Sequence, residues 1–223
     1  MLKAVIFDLD GTLTNIAFDY KKAKAEVISF LVSSEVNEKL LDETKSIYIN
    51  IEAAVSYITK KFGEERAKLI RKKAFEIVDS YERQEIGKTF LNEGALSLIQ
   101  CIKSRGIKVA VCTNNSSYTS LSILKELNLL SLIDVIVTRD DSERLKPYPD
   151  PLLIVCNKLN ISTSEALFVG DSIVDLLAAK AAGMKFVFLS KESLPQTKEI
   201  VNNFHFEKVS SLNEIKKIVG CVS

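Results

Sequence analysis

Short apolar runs alternate with helical periodicities along most of this chain, and one long stretch breaks the alternation. Leu2–Phe7 is a largely apolar run of the kind a strand buried on both faces of a parallel sheet requires. Similar runs recur at Ile107–Cys112, Val135–Thr138, Ala166–Val169 and Phe186–Leu189. Between them the apolar positions fall at helical spacing, around Gly94–Ser104, Tyr118–Leu127, Pro151–Lys158 and Val174–Ala182. Asp150-Pro151 reads as an N-cap followed by proline at N1, and Gly183 stands where a C-terminal glycine cap belongs. Strands alternating with helices predict an α/β domain built on a mostly parallel sheet.

The exception runs from Ile16 to about Ile86. It holds one glycine, Gly63, and no proline, with helical periodicity over Asp19–Val32, Asn37–Tyr48, Glu52–Lys61 and Glu64–Arg83. The pattern predicts an all-helical insert at 16–86, placed inside an α/β core formed by 1–15 and 87–223. Ile86-Gly87-Lys88-Thr89 is the expected return hinge.

Composition narrows the field mainly by exclusion. With 223 residues, 47% hydrophobic and 26% charged, the chain can bury a full core without staples. Its 30 basic and 29 acidic side chains nearly cancel, so no global charge favours nucleic acid or an anionic membrane. The four cysteines are scattered singly, with no zinc-type spacing and no disulfide framework, which predicts reduced thiols in a cytoplasmic protein. Asp8 comes too soon after the N-terminus for a signal peptide, and no apolar run approaches the roughly 20 residues of a membrane span.

Four segments carry candidate chemistry. The first strand leads into Asp8-Leu9-Asp10-Gly11-Thr12-Leu13-Thr14, where residues i and i+2 project to one side, so Asp8 and Asp10 share a small volume. Two such carboxylates repel unless a cation or proton joins them. An EF-hand loop places its glycine and glutamate elsewhere, and a Walker B acid needs a GxxxxGK[ST] partner that the chain lacks. The second segment is Thr113-Asn114-Asn115 after a buried strand, where a hydroxyl and backbone N–H groups suit phosphate oxygens. The third is Lys146-Pro147-Tyr148-Pro149-Asp150-Pro151, a cation on a stiffened loop. The fourth is Gly170-Asp171-Ser172-Ile173-Val174-Asp175, a strand-end acid with a second acid one helical turn on. Each of the last three is ordinary loop or helix-start composition when taken singly. All four together lie at the carboxyl ends of predicted parallel strands, where open α/β sheets place their sites.

The ordered set Asp8-x-Asp10-Gly11-Thr12, Thr113, Lys146-Pro147 and Gly170-Asp171…Asp175 resembles the haloacid dehalogenase (HAD) superfamily, and the insert resembles its C1-type helical cap. The texture is most similar to the phosphoglycolate-phosphatase-like branch. The resemblance implies a Rossmann-like core with a cap that closes over the site. It also implies a Mg²⁺-dependent phosphatase acting on a small phosphorylated metabolite, with neither nucleic acid nor membrane as partner. In that scheme Asp8 is the nucleophile and forms an aspartyl-phosphate, and Asp10 is the general acid and base. Thr113, Asn114 and Lys146 hold phosphate. Mg²⁺ is bound by Asp8, the Asp10 backbone carbonyl and Asp171, with Asp175 as a ligand or as an orienting residue. Dehalogenating relatives lack the second acid, so Asp10 argues for phosphorus as the target. Other readings stay open: a phosphomutase, for which the lone His205 lies too far downstream; a pyrophosphatase or nucleotidase; and a non-catalytic phosphoacceptor or Mg²⁺-binding regulator. In the insert Asp19, Tyr20, Tyr48 and Asn50 are candidate substrate contacts, with packing or surface roles the more economical reading for each. Oligomeric state is not written in the sequence.

Overall fold

The computed structural model describes residues 1–15, 19–190 and 204–221. The chain divides into two compact units, Met1–Ile16 with Thr89–Ser223, and Ala17–Lys88. No helix among the described residues is long and apolar enough to cross a membrane.

The first unit is built on six parallel strands: β1 (Ala4–Phe7), β2 (Lys108–Cys112), β3 (Val135–Val137), β4 (Ala166–Gly170), β5 (Lys185–Leu189) and β6 (Glu207–Val209). They lie in the order β3-β2-β1-β4-β5-β6. Successive side chains of β1 serve opposite faces. Val5 and Phe7 join a core with Ala95, Leu98, Ile99 and Ile102, whereas Ile6 joins a core with Leu152, Val155, Leu176 and Ala179. Both faces are therefore covered by helices, which explains why the central strands read as unbroken apolar runs. The chain moves outward from β1 through β2 and β3, then returns to the other side of β1 with β4. The loops after β1, β2 and β4 thus converge at the point where the strand order reverses, the crevice in which open α/β sheets bind ligands.

The helices of this unit are α4 (Ala95–Ser104), α5 (Ser117–Glu126), α6 (Asp150–Leu159), α7 (Ile173–Ala182) and α8 (Leu212–Ile218), numbered after three in the other unit. Gly183 ends α7 in the left-handed conformation, as its position predicted. Asp150 is not an N-cap: Pro149 occupies that position, Asp150 opens the helix, and its carboxylate pairs with Arg144 at 3.0 Å. The apolar runs also gave no sign of β6 or α8.

A second correction concerns the cysteines. Cys101 of α4 and Cys221, just beyond α8, form a disulfide across 120 residues of sequence, in place of the expected free thiols. Packing of α4 against α8 brings their Cα atoms to 6.0 Å, a proximity that spacing along the chain cannot reveal. Cys112 and Cys156 remain buried thiols.

The second unit contains α1 (Tyr20–Ser33), α2 (Ile47–Phe62) and α3 (Glu64–Glu82). Ala23, Val27 and Leu31 of α1 meet Ile51, Ala54 and Ile58 of α2 and Ile70, Ala74 and Val78 of α3 in one apolar core. The helix expected over Asn37–Tyr48 is absent. Asn37 caps a single 3₁₀ turn, Glu38–Leu40, and Ser46 caps α2 by accepting the Ile49 N–H. Two capping side chains in that interval favour turns over a continuous helix. The buried Asn50 then pins the connection, accepting the Asp42 N–H and donating to the Asp42 and Ser46 carbonyls.

Candidate active site

Asp8 stands immediately after β1, and its N–H continues the ladder by donating to the Val169 carbonyl. The next residues turn sharply at Gly11, whose φ of +82° lies in the left-handed region. A Cβ at this position would overlap the Asp171 carboxylate, so glycine is needed for both conformation and space. Asn92 clasps the loop from outside through its Nδ2, which donates to the Thr12 carbonyl at 2.9 Å and the Thr14 carbonyl at 3.0 Å. No local signature marked Asn92 in the sequence.

Lys146 reaches this loop from the far side. Its peptide bond to Pro147 is cis. Its backbone is fixed by Asn114, whose Oδ1 accepts the Lys146 N–H and whose Nδ2 donates to the Lys146 carbonyl. The Asn114 side chain is thus committed to this loop, which leaves the backbone of that segment as the part able to face a phosphate. Lys146 is 3% exposed, and its ammonium is held by three acceptors. It donates to Asp8 Oδ1 at 2.7 Å, Asp175 Oδ1 at 2.6 Å and the Cys112 carbonyl at 3.0 Å. Burial alone would lower its pKa, but Asp175 and Asp8 more than offset that and hold it charged.

Asp175 lies in the first turn of α7, where Ser172 caps the helix and donates backbone and side-chain hydrogen bonds to Asp175 Oδ2. Both Asp175 oxygens are therefore engaged, one by Lys146 and one by Ser172. At Gly170 an added Cβ would stand 2.6 Å from the Asp175 Cβ, so this glycine makes room for the acid. Asp171 is less buried than Asp8 and Asp175 and accepts from Thr12 Oγ1 at 3.3 Å. A cavity of about 570 Å³ opens beside Gly11 and Asp171, giving ion and solvent a route to this carboxylate.

Asp8, Asp171 and Asp175 each present an oxygen within 4.8 Å of the others. Burial, then repulsion from Asp175, pushes the Asp171 carboxyl up to about 7. Burial likewise raises Asp8 well above the usual carboxylate range, against the opposing pull of Lys146. Fully ionised, three carboxylates facing one ammonium would leave two negative charges uncompensated in a buried place. Hard oxygen donors with that residual charge fit a divalent cation.

Thr113 and Asn115 complete the site. The Thr113 hydroxyl oxygen accepts the Asn115 N–H at 3.1 Å, and the Arg139 guanidinium holds the Asn114 carbonyl at 3.0 Å. Asp10 is not part of the group formed by Asp8, Asp171 and Asp175. Its Oδ2 accepts from Asn115 Nδ2 and its Oδ1 from Thr14 Oγ1. The sequence places Asp10 beside Asp8 and includes Asn115 in the second candidate segment, but it does not show that the two meet, 105 positions apart. The insert positions behave differently. Asp19 caps α1, the Tyr20 hydroxyl accepts the Ile47 N–H, Tyr48 packs on Phe75, and Asn50 is buried in its own turn. His205 is exposed.

Comparison with known proteins agrees with this architecture. A phosphoglycolate phosphatase of Nitrosospira multiformis is 33% identical over 186 residues, covering 82% of this chain and 80% of the relative. A Clostridium perfringens relative that carries a pyrophosphatase name is 32% identical over 202 residues, covering 89% and 88%. Among solved structures, a β-phosphoglucomutase of Clostridium difficile shares the fold with a TM-score of 0.68 at 19% identity, covering 99% of this chain and 97% of that one. Residues 2–183 match the model of the haloacid dehalogenase-like hydrolases, and the chain belongs to that family.

Proposed function

We propose that this chain is a Mg²⁺-dependent phosphatase that hydrolyses a small phosphate monoester through an aspartyl-phosphate at Asp8. The observation that carries the reading is the cluster of Asp8, Asp171 and Asp175 around Lys146, three carboxyls to one ammonium at the carboxyl edge of the sheet. Asp8 and Asp171 would hold the ion, joined by the Asp10 carbonyl, while Asp175 orients Lys146. When bound, the metal supplies the charge that lets an anionic nucleophile approach an anionic substrate.

The remaining work falls to side chains. Asp8 attacks phosphorus in line, and Asp10 gives a proton to the leaving oxygen. Water then attacks the phosphorus of the aspartyl-phosphate and returns a proton to Asp10, releasing Asp8. Lys146, the Thr113 hydroxyl and backbone N–H groups around Asn114 hold the phosphoryl oxygens as charge develops on them. Asp10 is the residue that directs this machinery to phosphate esters, because an alkoxide needs a proton on departure.

The relatives' names put phosphoglycolate and pyrophosphate first among candidate substrates. The test is hydrolysis of an aryl phosphate with Mg²⁺ and with EDTA, followed by a panel containing phosphoglycolate, pyrophosphate, sugar phosphates and nucleotides. Metal-dependent release of phosphate is expected. Its absence for every compound across pH and temperature would overturn the reading.

A further inference from the structure

Asp10 is anchored by a residue from a distant part of the chain. Asn115 Nδ2 donates to Asp10 Oδ2 at 2.5 Å, while Thr14 Oγ1 lies 3.3 Å from Oδ1 and 3.1 Å from the Leu9 carbonyl. A hydroxyl has one proton to give, so Thr14 divides its donation between the two acceptors. The amide is the firmer hold. Asn115 is itself fixed: it is 4% exposed, its N–H donates to Thr113 Oγ1, and its carbonyl accepts the Arg139 N–H at 2.9 Å. These bonds fix the backbone from which the amide projects, in the loop that carries Thr113.

We propose that Asn115 is a positioning residue that fixes the direction in which Asp10 exchanges its proton with the leaving group and with water. The inference rests on the reading of Asp10 as general acid and base. A carboxyl on a short side chain rotates about two bonds, and proton transfer needs it within roughly 2.6–3.2 Å of the reacting oxygen. Anchoring Oδ2 on the amide leaves Oδ1 as the oxygen whose direction is set. As the Asp8–phosphorus bond forms and the ester bond breaks, the proton moves from Asp10 to the departing oxygen. As water attacks, its proton passes to Asp10 and the Asp8–phosphorus bond breaks. Both transfers use one carboxylate orientation, and Asn115 supplies it.

The test compares kcat/KM for the alkyl phosphate that the wild type hydrolyses best with kcat/KM for 2,4-dinitrophenyl phosphate, whose leaving group needs no proton. With Mg²⁺ present, Asn115→Ala and the near-isosteric Asn115→Leu should each lose about 30-fold on the alkyl ester and less than about threefold on the dinitrophenyl ester, since misplacing a reacting group costs up to ~10²-fold. Their melting temperatures should stay near wild type, because the loop's backbone bonds survive either change. The Asp10→Asn/Asn115→Ala double variant should be no slower on the alkyl ester than Asp10→Asn alone. Equal losses on both esters, no loss at all, or additive losses in the double variant would overturn the positioning role and leave the phosphatase reading standing. A wild type that turns over neither ester, or an Asp10→Asn enzyme with no leaving-group preference, would remove the underlying reading and the inference with it.

Discussion

The carboxyl edge of the sheet and the helical unit both bury polar side chains, and they do so on opposite terms. In the helical unit Asn50 is almost wholly enclosed, yet its oxygen and its nitrogen both find backbone partners around Asp42 and Ser46. The group is satisfied within its own turn and asks nothing of a ligand. At the sheet edge Asp8, Asp171 and Asp175 have one ammonium among them, and burial drives the first two carboxyls upward. That arrangement is stable only with protons or a cation added. Burial of polarity marks a site when the charges do not close, and marks scaffolding when the hydrogen bonds do.

Four measurements would break or sharpen this contrast. The largest effect is expected for Asp8→Asn, which should lower turnover by about 10⁴-fold or more because the proposed nucleophile is gone. Its metal-free melting temperature should stay level or rise, since one of the mutually repelling carboxylates becomes neutral. A clear fall would mean that Asp8 serves the fold. Asn50→Ala should do the reverse, costing about 2 kcal/mol in denaturant titrations by stranding the Asp42 N–H and two carbonyls. Phosphatase activity of the folded fraction should not change.

Metal should stabilise one region and be indifferent to the other. Mg²⁺ at 100 times its dissociation constant adds about 2.7 kcal/mol if it binds only the folded chain. The melting temperature should therefore rise with added Mg²⁺ in wild type and in Asn50→Ala but stay flat in Asp171→Asn. A shift that persists in Asp171→Asn would move the ion elsewhere. The smallest effect concerns pH. In the folded, metal-free chain burial and Asp175 hold the Asp171 carboxyl near 7, against 3.8 as its ordinary value. The folded state therefore binds the extra proton, so stability present below about pH 4 is lost as pH rises towards 7. Calorimetry without metal should show melting falling over that window, with a weaker slope in Asp171→Asn.

How much of this was legible in the sequence depended on distance along the chain. Strands β1, β2, β4 and β5 announced themselves because both their faces are buried. In β6 only Val209 is buried, and three residues are too few for a period to show. In the helical unit the apolar spacing of α1 and α3 is plain, but Asn37 and Ser46 fit helical spacing as well, and only their capping bonds set them outside the helices. Asp8, Asp10, Thr113, Lys146 and Asp171 could be picked out because each follows a strand end or sits beside a proline or glycine, and Asp175 because it lies one helical turn beyond Asp171. Asn92, and the partner that Asn115 would find, could not be read there, since an amide carries no local mark of the carboxylate or carbonyl it will meet 78 to 105 positions away.

The bond between Cys101 and Cys221 gives the chain a covalent topology as well as a fold. Strands β2 to β6, with Lys146, Asp171 and Asp175 among them, all lie inside one closed loop, while β1 and the helical unit lie outside it. A protease that cuts once anywhere within the loop would leave two pieces still joined, running as a single species on a gel until a reductant parts them. A cut in the helical unit would separate the fragments at once under denaturing conditions, whatever the redox state.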